Sequence, residues 1–76
     1  MARQMRKRDK LCRILEARGF KEETGSSRYA KFKDISRSEE GYYFVGRNGA
    51  LRYGRCISRS SSMDADAFIE RYSHML

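Results

Sequence analysis

The chain has no proline and no tryptophan, a single histidine, and only two cysteines among its 76 residues. Without proline, nothing in it reads as a stiff proline-rich linker. Cys12 and Cys56 are too few for a disulfide framework. Even with His74 they fall short of the four nitrogen or sulfur ligands that a structural zinc site wants, so no metal is expected. A buried free thiol is the expectation for Cys12, which lies at the edge of an apolar helix face. No apolar run approaches the ~20 residues needed to span a bilayer. The basic start is followed by no signal-peptide hydrophobic stretch, which points to a reducing, cytoplasmic setting and no membrane. Glycine-rich phosphate loops and paired carboxylates are missing too. His74, near a helix end, has no nucleophile or carboxylate arranged around it by spacing. No catalytic residue, no cofactor and no enzyme are therefore expected.

Positive charge is what the chain has in excess. The formal net charge is +7 and the pI about 9.9. All of that excess falls in residues 1–33, because the remainder carries equal numbers of basic and acidic groups. Such an imbalance suggests an anionic partner: nucleic acid, an acidic protein or anionic lipid. The plain alternative is charge that only keeps a small domain soluble. At this length one domain, residues 1–76, is expected, with residues 1–8 a flexible basic arm and only ~60% of the unfolded surface buried.

Hydrophobic periodicity gives the elements. Leu11, Ile14 and Leu15 lie at helical spacing, and Gly19-Phe20 is a helix-ending signature, so a helix is expected over residues 5–18. Gly25-Ser26-Ser27 reads as a turn and residues 28–33 as a strand, with Ala30 and Phe32 on one face and Tyr29, Lys31 and Lys33 on the other. The polar run at 36–41 reads as a loop. Asn48-Gly49 between two aromatic-rich runs predicts a hairpin with a two-residue turn. That register pairs Arg47 with Ala50, Val45 with Arg52, and Phe44 with Tyr53. It sends Tyr42, Phe44, Leu51 and Tyr53 to the core, and Tyr43, Val45, Arg47, Ala50 and Arg52 to the open side. Gly54 is a candidate bulge. Residues 58–62 read as a serine-rich link, with Ser61 or Ser62 capping a second helix that buries Ala65, Phe68, Ile69, Tyr72 and Met75. The expected fold is α+β: a three-stranded antiparallel sheet with two helices packed on one face, in the order α-β-β-β-α.

With Gly19-Phe20, then Gly25-Ser26-Ser27, then a strand bearing Tyr29 and Phe32, that order resembles the double-stranded-RNA-binding fold shared by the HicA family of small RNA-cleaving toxins. The resemblance implies the fold. In the toxin family a catalytic histidine follows the Gly-Ser pair, where this chain has Ser27, so nuclease activity does not carry over. Asp64 and Asp66 at the second helix have the wrong sign for the RNA-binding family's basic motif. Residues 43–52 are also similar to segments of small uncharacterised phage proteins, which hints at a mobile-element origin.

The leading reading is a small nucleic-acid-binding protein, for RNA or DNA, acting as monomer or homodimer. Tyr29, Lys31, Lys33, Tyr43, Arg47 and Arg52 would form a ring-and-cation platform. Arg6, Lys7, Arg8, Lys10 and Arg13 of the arm and first helix would grip phosphate. Ordinary solvated strand residues and a solubilising tail are the bland alternative. Two further readings use the same charges: a phage-borne inhibitor of an acidic host protein, and a degenerate RNA-cleaving toxin.

Overall fold

Leu11, Ile14 and Leu15 form one fully buried stripe on α1, Lys7–Ala17, in a computed structural model that describes residues 5–23, 28–34 and 41–76. Met5 and Arg6 precede the helix instead of opening it. Arg6 stands at the N-cap with no side-chain cap, and only Asp9 supplies an acid to the first turn. The C-terminal end is firmer. Gly19 takes φ of 91°, its N–H donates to Glu16 O at 3.0 Å, and Phe20 N–H donates to Leu15 O at 3.0 Å. That pair of bonds satisfies carbonyls the last turn would orphan, and it folds Phe20 back into the core.

Five strands follow, not three. They are β1 Lys21–Glu23, β2 Tyr29–Lys33, β3 Tyr42–Gly46, β4 Leu51–Gly54 and β5 Ser60–Met63, all antiparallel to their neighbours and in sequential order across the sheet. The expected three-stranded sheet is thus corrected by an extra strand at each edge. Neither had a readable signal: Lys-Glu-Glu has no apolar residue and Ser-Ser-Ser-Met has no alternation. Both join the sheet through backbone pairing alone, which side-chain propensity reports poorly. The serine segment at 58–62 is therefore a 3-10 turn, Ile57–Arg59, running into β5. Gly54 pairs regularly with Tyr42 and Ser60 and hosts no bulge. A side chain there would collide with the backbone of Arg59 and Ser60, so a close approach explains the glycine. The turn expected at Gly25-Ser26-Ser27 and most of the loop expected at 36–41 lie outside the described residues.

The hairpin between β3 and β4 departs by one residue from the expected register. Gly46 and Ala50 close it, with Gly46 N–H donating to Ala50 O at 2.8 Å and Gly49 N–H to Gly46 O at 3.1 Å. The loop is therefore Arg47-Asn48-Gly49, a tight turn followed by Gly49 at φ of 88°. Asn48 Oδ1 accepts from Ala50 N–H at 3.3 Å and stiffens it. Pairs are now Val45 with Leu51, Phe44 with Arg52 and Tyr43 with Tyr53. Because the side-chain period is two, this single step turns every β3 side chain to the opposite face and leaves β4 as expected.

Helix α2, Ala65–Arg71, is capped by Asp64, whose carboxylate accepts from Ala67 N–H at 3.1 Å, and not by Ser61 or Ser62. Both helices pack on one face of the sheet. There Leu11, Ile14 and Leu15 meet Phe32, Val45, Leu51, Ala65 and Phe68, with Tyr43 and Tyr72 at the margin. Phe32 is fully buried, and burial of such a ring stabilises by roughly 1.5–3 kcal/mol.

Candidate nucleic-acid interface

With the helices on one side, pairing fixes what the other side displays, since residues directly opposite each other share a face. One row runs Lys21, Lys33, Tyr42, Gly54, Ser60 from β1 to β5, and the next runs Glu23, Lys31, Phe44, Arg52, Ser62. Tyr29, opposite Gly46, ends the face beside the hairpin turn. Four cations face one carboxylate across this surface. Three of its rings share it, but Phe44 is only 5% exposed, so Tyr29 and Tyr42 are the rings a partner can reach.

Lys31 sits over the Tyr42 ring, with Nζ 4.1 Å from the centroid. Arg52 does not project as a free cation. Its Nε donates to Ser60 Oγ at 2.7 Å, Nη1 to Ser62 Oγ at 2.8 Å and Nη2 to Ser60 O at 2.7 Å. It acts as a latch holding β5 onto β4. Two of its five N–H donors remain for a ligand.

The residues expected to form one platform are divided. Tyr29, Lys31, Lys33 and Arg52 share the open face. Tyr43 does not: it lies beneath the helices, its ring centroid 5.1 Å from Phe20, 4.7 Å from Tyr53 and 5.9 Å from Phe68. The corrected register is the reason. Arg47 is exposed in the turn, where it lines a shallow cleft of about 280 Å³ with Arg28 and Tyr29. Arg6, Arg8 and Arg13 are exposed at α1 and Lys10 is half-buried there, on the helix side of the sheet. Arg13 Nη1 reaches Met5 Sδ at 3.5 Å. Lys7 pairs with Asp66 at 2.9 Å, and as both side chains are well exposed the pair contributes at most ~1 kcal/mol. The Lys7 stem also packs on Gly49, so the start of α1 abuts the hairpin turn.

Sequence reasoning missed Lys21, because β1 was not visible, and Tyr42, because the turn was read one residue short. The Asn-Gly signal located the hairpin; the glycine at 46 was the available hint that the loop closes one residue earlier.

Neither thiol belongs to these rows of paired residues. Burial raises the Cys12 pKa, opposed by the nearby Arg8 charge. Cys56 is exposed, and hydrogen bonding from the Ser58 hydroxyl lowers its pKa. Among the described residues, no group of three His, Cys, Asp or Glu side chains is placed to hold a metal ion. No described helix is long and apolar enough to cross a membrane.

The chain matches no protein-family model, and no curated protein or solved structure gives a significant match.

Proposed function

We propose that the protein is a small basic module that binds single-stranded nucleic acid on the open face of its sheet. The observation that carries this reading is the pairing itself. It gathers Lys21, Lys31, Lys33 and Arg52 with Tyr29 and Tyr42 on the one sheet face that neither helix covers.

Tyr42 is the stacking ring and Lys31 its gate. The exposed cation–π contact that Lys31 makes with it contributes about 0.5–1 kcal/mol. A base stacked on an aromatic ring contributes about 1–3 kcal/mol. A base therefore displaces Lys31 from the ring at a net gain, and the freed ammonium is then beside the strand's phosphates. Tyr29 serves as a second platform, flanked by Arg28 and Arg47 at the turn. Contacts to backbone phosphate and to flat bases carry little sequence information, so weak sequence preference follows.

The test is a salt titration, using fluorescence anisotropy of labelled 12-nucleotide RNA and DNA strands. Three to four phosphate contacts give a slope of log K against log salt of roughly −2 to −3. Absence of binding at about 50 mM salt, or affinity that does not fall as salt rises, rejects the proposal. In that event a partner retained by the protein after nuclease treatment would favour an acidic protein instead.

A further inference from the structure

On the helix side of the sheet, where α1 ends against α2, Arg18 makes no ion pair among the described residues. Its guanidinium carbon lies over three rings, 4.3 Å from the centroid of Tyr72, 5.2 Å from Phe20 and 5.9 Å from Phe68. Arg71, in the last turn of α2, lies over the same Tyr72 ring at 5.6 Å. By the triangle inequality the two guanidinium carbons are no more than about 10 Å apart, a separation comparable with the screening length of roughly 8 Å at physiological salt. Neither arginine has an ion-pair partner among the described residues. Arg18 Nη1 is closed off from solvent and meets no hydrogen-bond acceptor among them.

The rings do not resolve this. They attract the faces of a guanidinium by about 0.5–2 kcal/mol, but they offer little to its in-plane N–H groups. A buried donor without an acceptor costs about 1–3 kcal/mol, and more when charged. Attraction from the three rings can offset that cost, but it leaves the Nη1 donor without an acceptor. Beside it opens a cleft of about 440 Å³, large enough for a small ligand. Tyr43, Met63 and Phe68 line it together with both arginines. One carboxylate, Asp64, also lines it, but its Oδ1 is turned to the Ala67 N–H at 3.1 Å.

We propose that this cleft binds an oxyanion carried on a flat apolar body, a carboxylate or phosphate attached to an aromatic ring. Arg18 and Arg71 hold the oxyanion, and Phe68, Tyr72 and Met63 hold the ring. The oxyanion supplies an acceptor to the Arg18 guanidinium, whose Nη1 has none among the described residues, and screens the two like charges from each other. The site is on the opposite side of the sheet from the nucleic-acid face and stands or falls independently of it.

The experiment is an NMR titration of the backbone and arginine Nε–H signals of the full chain. Sodium benzoate and phenyl phosphate are the probes, with sodium chloride at matched ionic strength as control. Saturable shifts at Arg18, Ala67 and Tyr72 are expected with at least one probe. Saturation by benzoate alone assigns a carboxylate, and by phenyl phosphate alone a phosphate. Arg71 is exposed, so Arg71→Gln should fold normally while weakening binding roughly tenfold, the loss of one charge-assisted hydrogen bond. Arg18→Gln should abolish it. Shifts that stay linear and match the chloride control overturn the proposal, as does saturation unchanged in Arg71→Gln.

Discussion

Tyr42 and Tyr43 are neighbours in sequence with opposite fates, and replacing each by alanine separates the observed register from the one its Asn-Gly turn suggests. Tyr43 sits among Phe20, Tyr53 and Phe68, under the helices. Truncating an aromatic ring in a core costs about 3–5 kcal/mol. Tyr43 is partly exposed, so about 2–3 kcal/mol is the fitting expectation. Tyr42, on the open face, touches Phe44 and Lys31. Its loss forfeits one exposed cation–π contact and some cross-strand packing, about 1 kcal/mol in all. A chain of this length has about 4–11 kcal/mol of stability in total, so Tyr43→Ala removes a large share and Tyr42→Ala a small one. Urea unfolding followed by circular dichroism measures both, provided the m-value is unchanged between variants. Tyr42→Ala destabilising as much as Tyr43→Ala would refute the register. The binding data should run the other way, with Tyr42→Ala weakening single-strand binding and Tyr43→Phe leaving it intact.

Two more outcomes follow from named contacts. Arg52→Ala removes three hydrogen bonds to Ser60 and Ser62, so amide exchange in β5 should quicken by about tenfold or more while β2 and β3 stay protected; unchanged β5 protection would show that Arg52 is no latch. A lowered pKa means more thiolate at neutral pH, so at pH about 7.5 iodoacetamide should modify Cys56 well before the half-buried Cys12, and Ser58→Ala should slow Cys56 there while leaving its rate above pH about 9.5 nearly unchanged. Equal rates at the two cysteines, or no effect of Ser58→Ala, would count against that account.

The legible parts of the sequence were those where side-chain pattern and backbone agree. The stripe Leu11, Ile14, Leu15, the Gly19-Phe20 ending, and Ala30 and Phe32 facing inward on β2 all follow from spacing, and all appear in the structure. Leu51 and Tyr53 facing the helices, with Arg52 opposed, were legible for the same reason. The strands β1 and β5 were not, because edge pairing is made by backbone groups that Lys-Glu-Glu and Ser-Ser-Ser do not advertise. Asn48-Gly49 fixed the position of the hairpin but not its loop length. Two- and three-residue loops both accept glycine at positive φ, and the choice between them decides which way β3 faces. In consequence the expected platform traded Tyr43 for Tyr42 and lost Arg47 to the turn. It gained Lys21 only once β1 was seen to pair with Lys33.

The open face as the binding surface is tested most directly by reversing its charge and comparing with an equal reversal on the helix side. Single-strand affinity is measured by anisotropy at fixed salt for Lys31→Glu/Lys33→Glu and for Arg8→Glu/Arg13→Glu. The account predicts that the sheet pair abolishes measurable binding, while the helix pair, two exposed charges on the far side, lowers it by no more than about tenfold through long-range attraction. Loss of binding in the helix pair, with the sheet pair still binding, would contradict it.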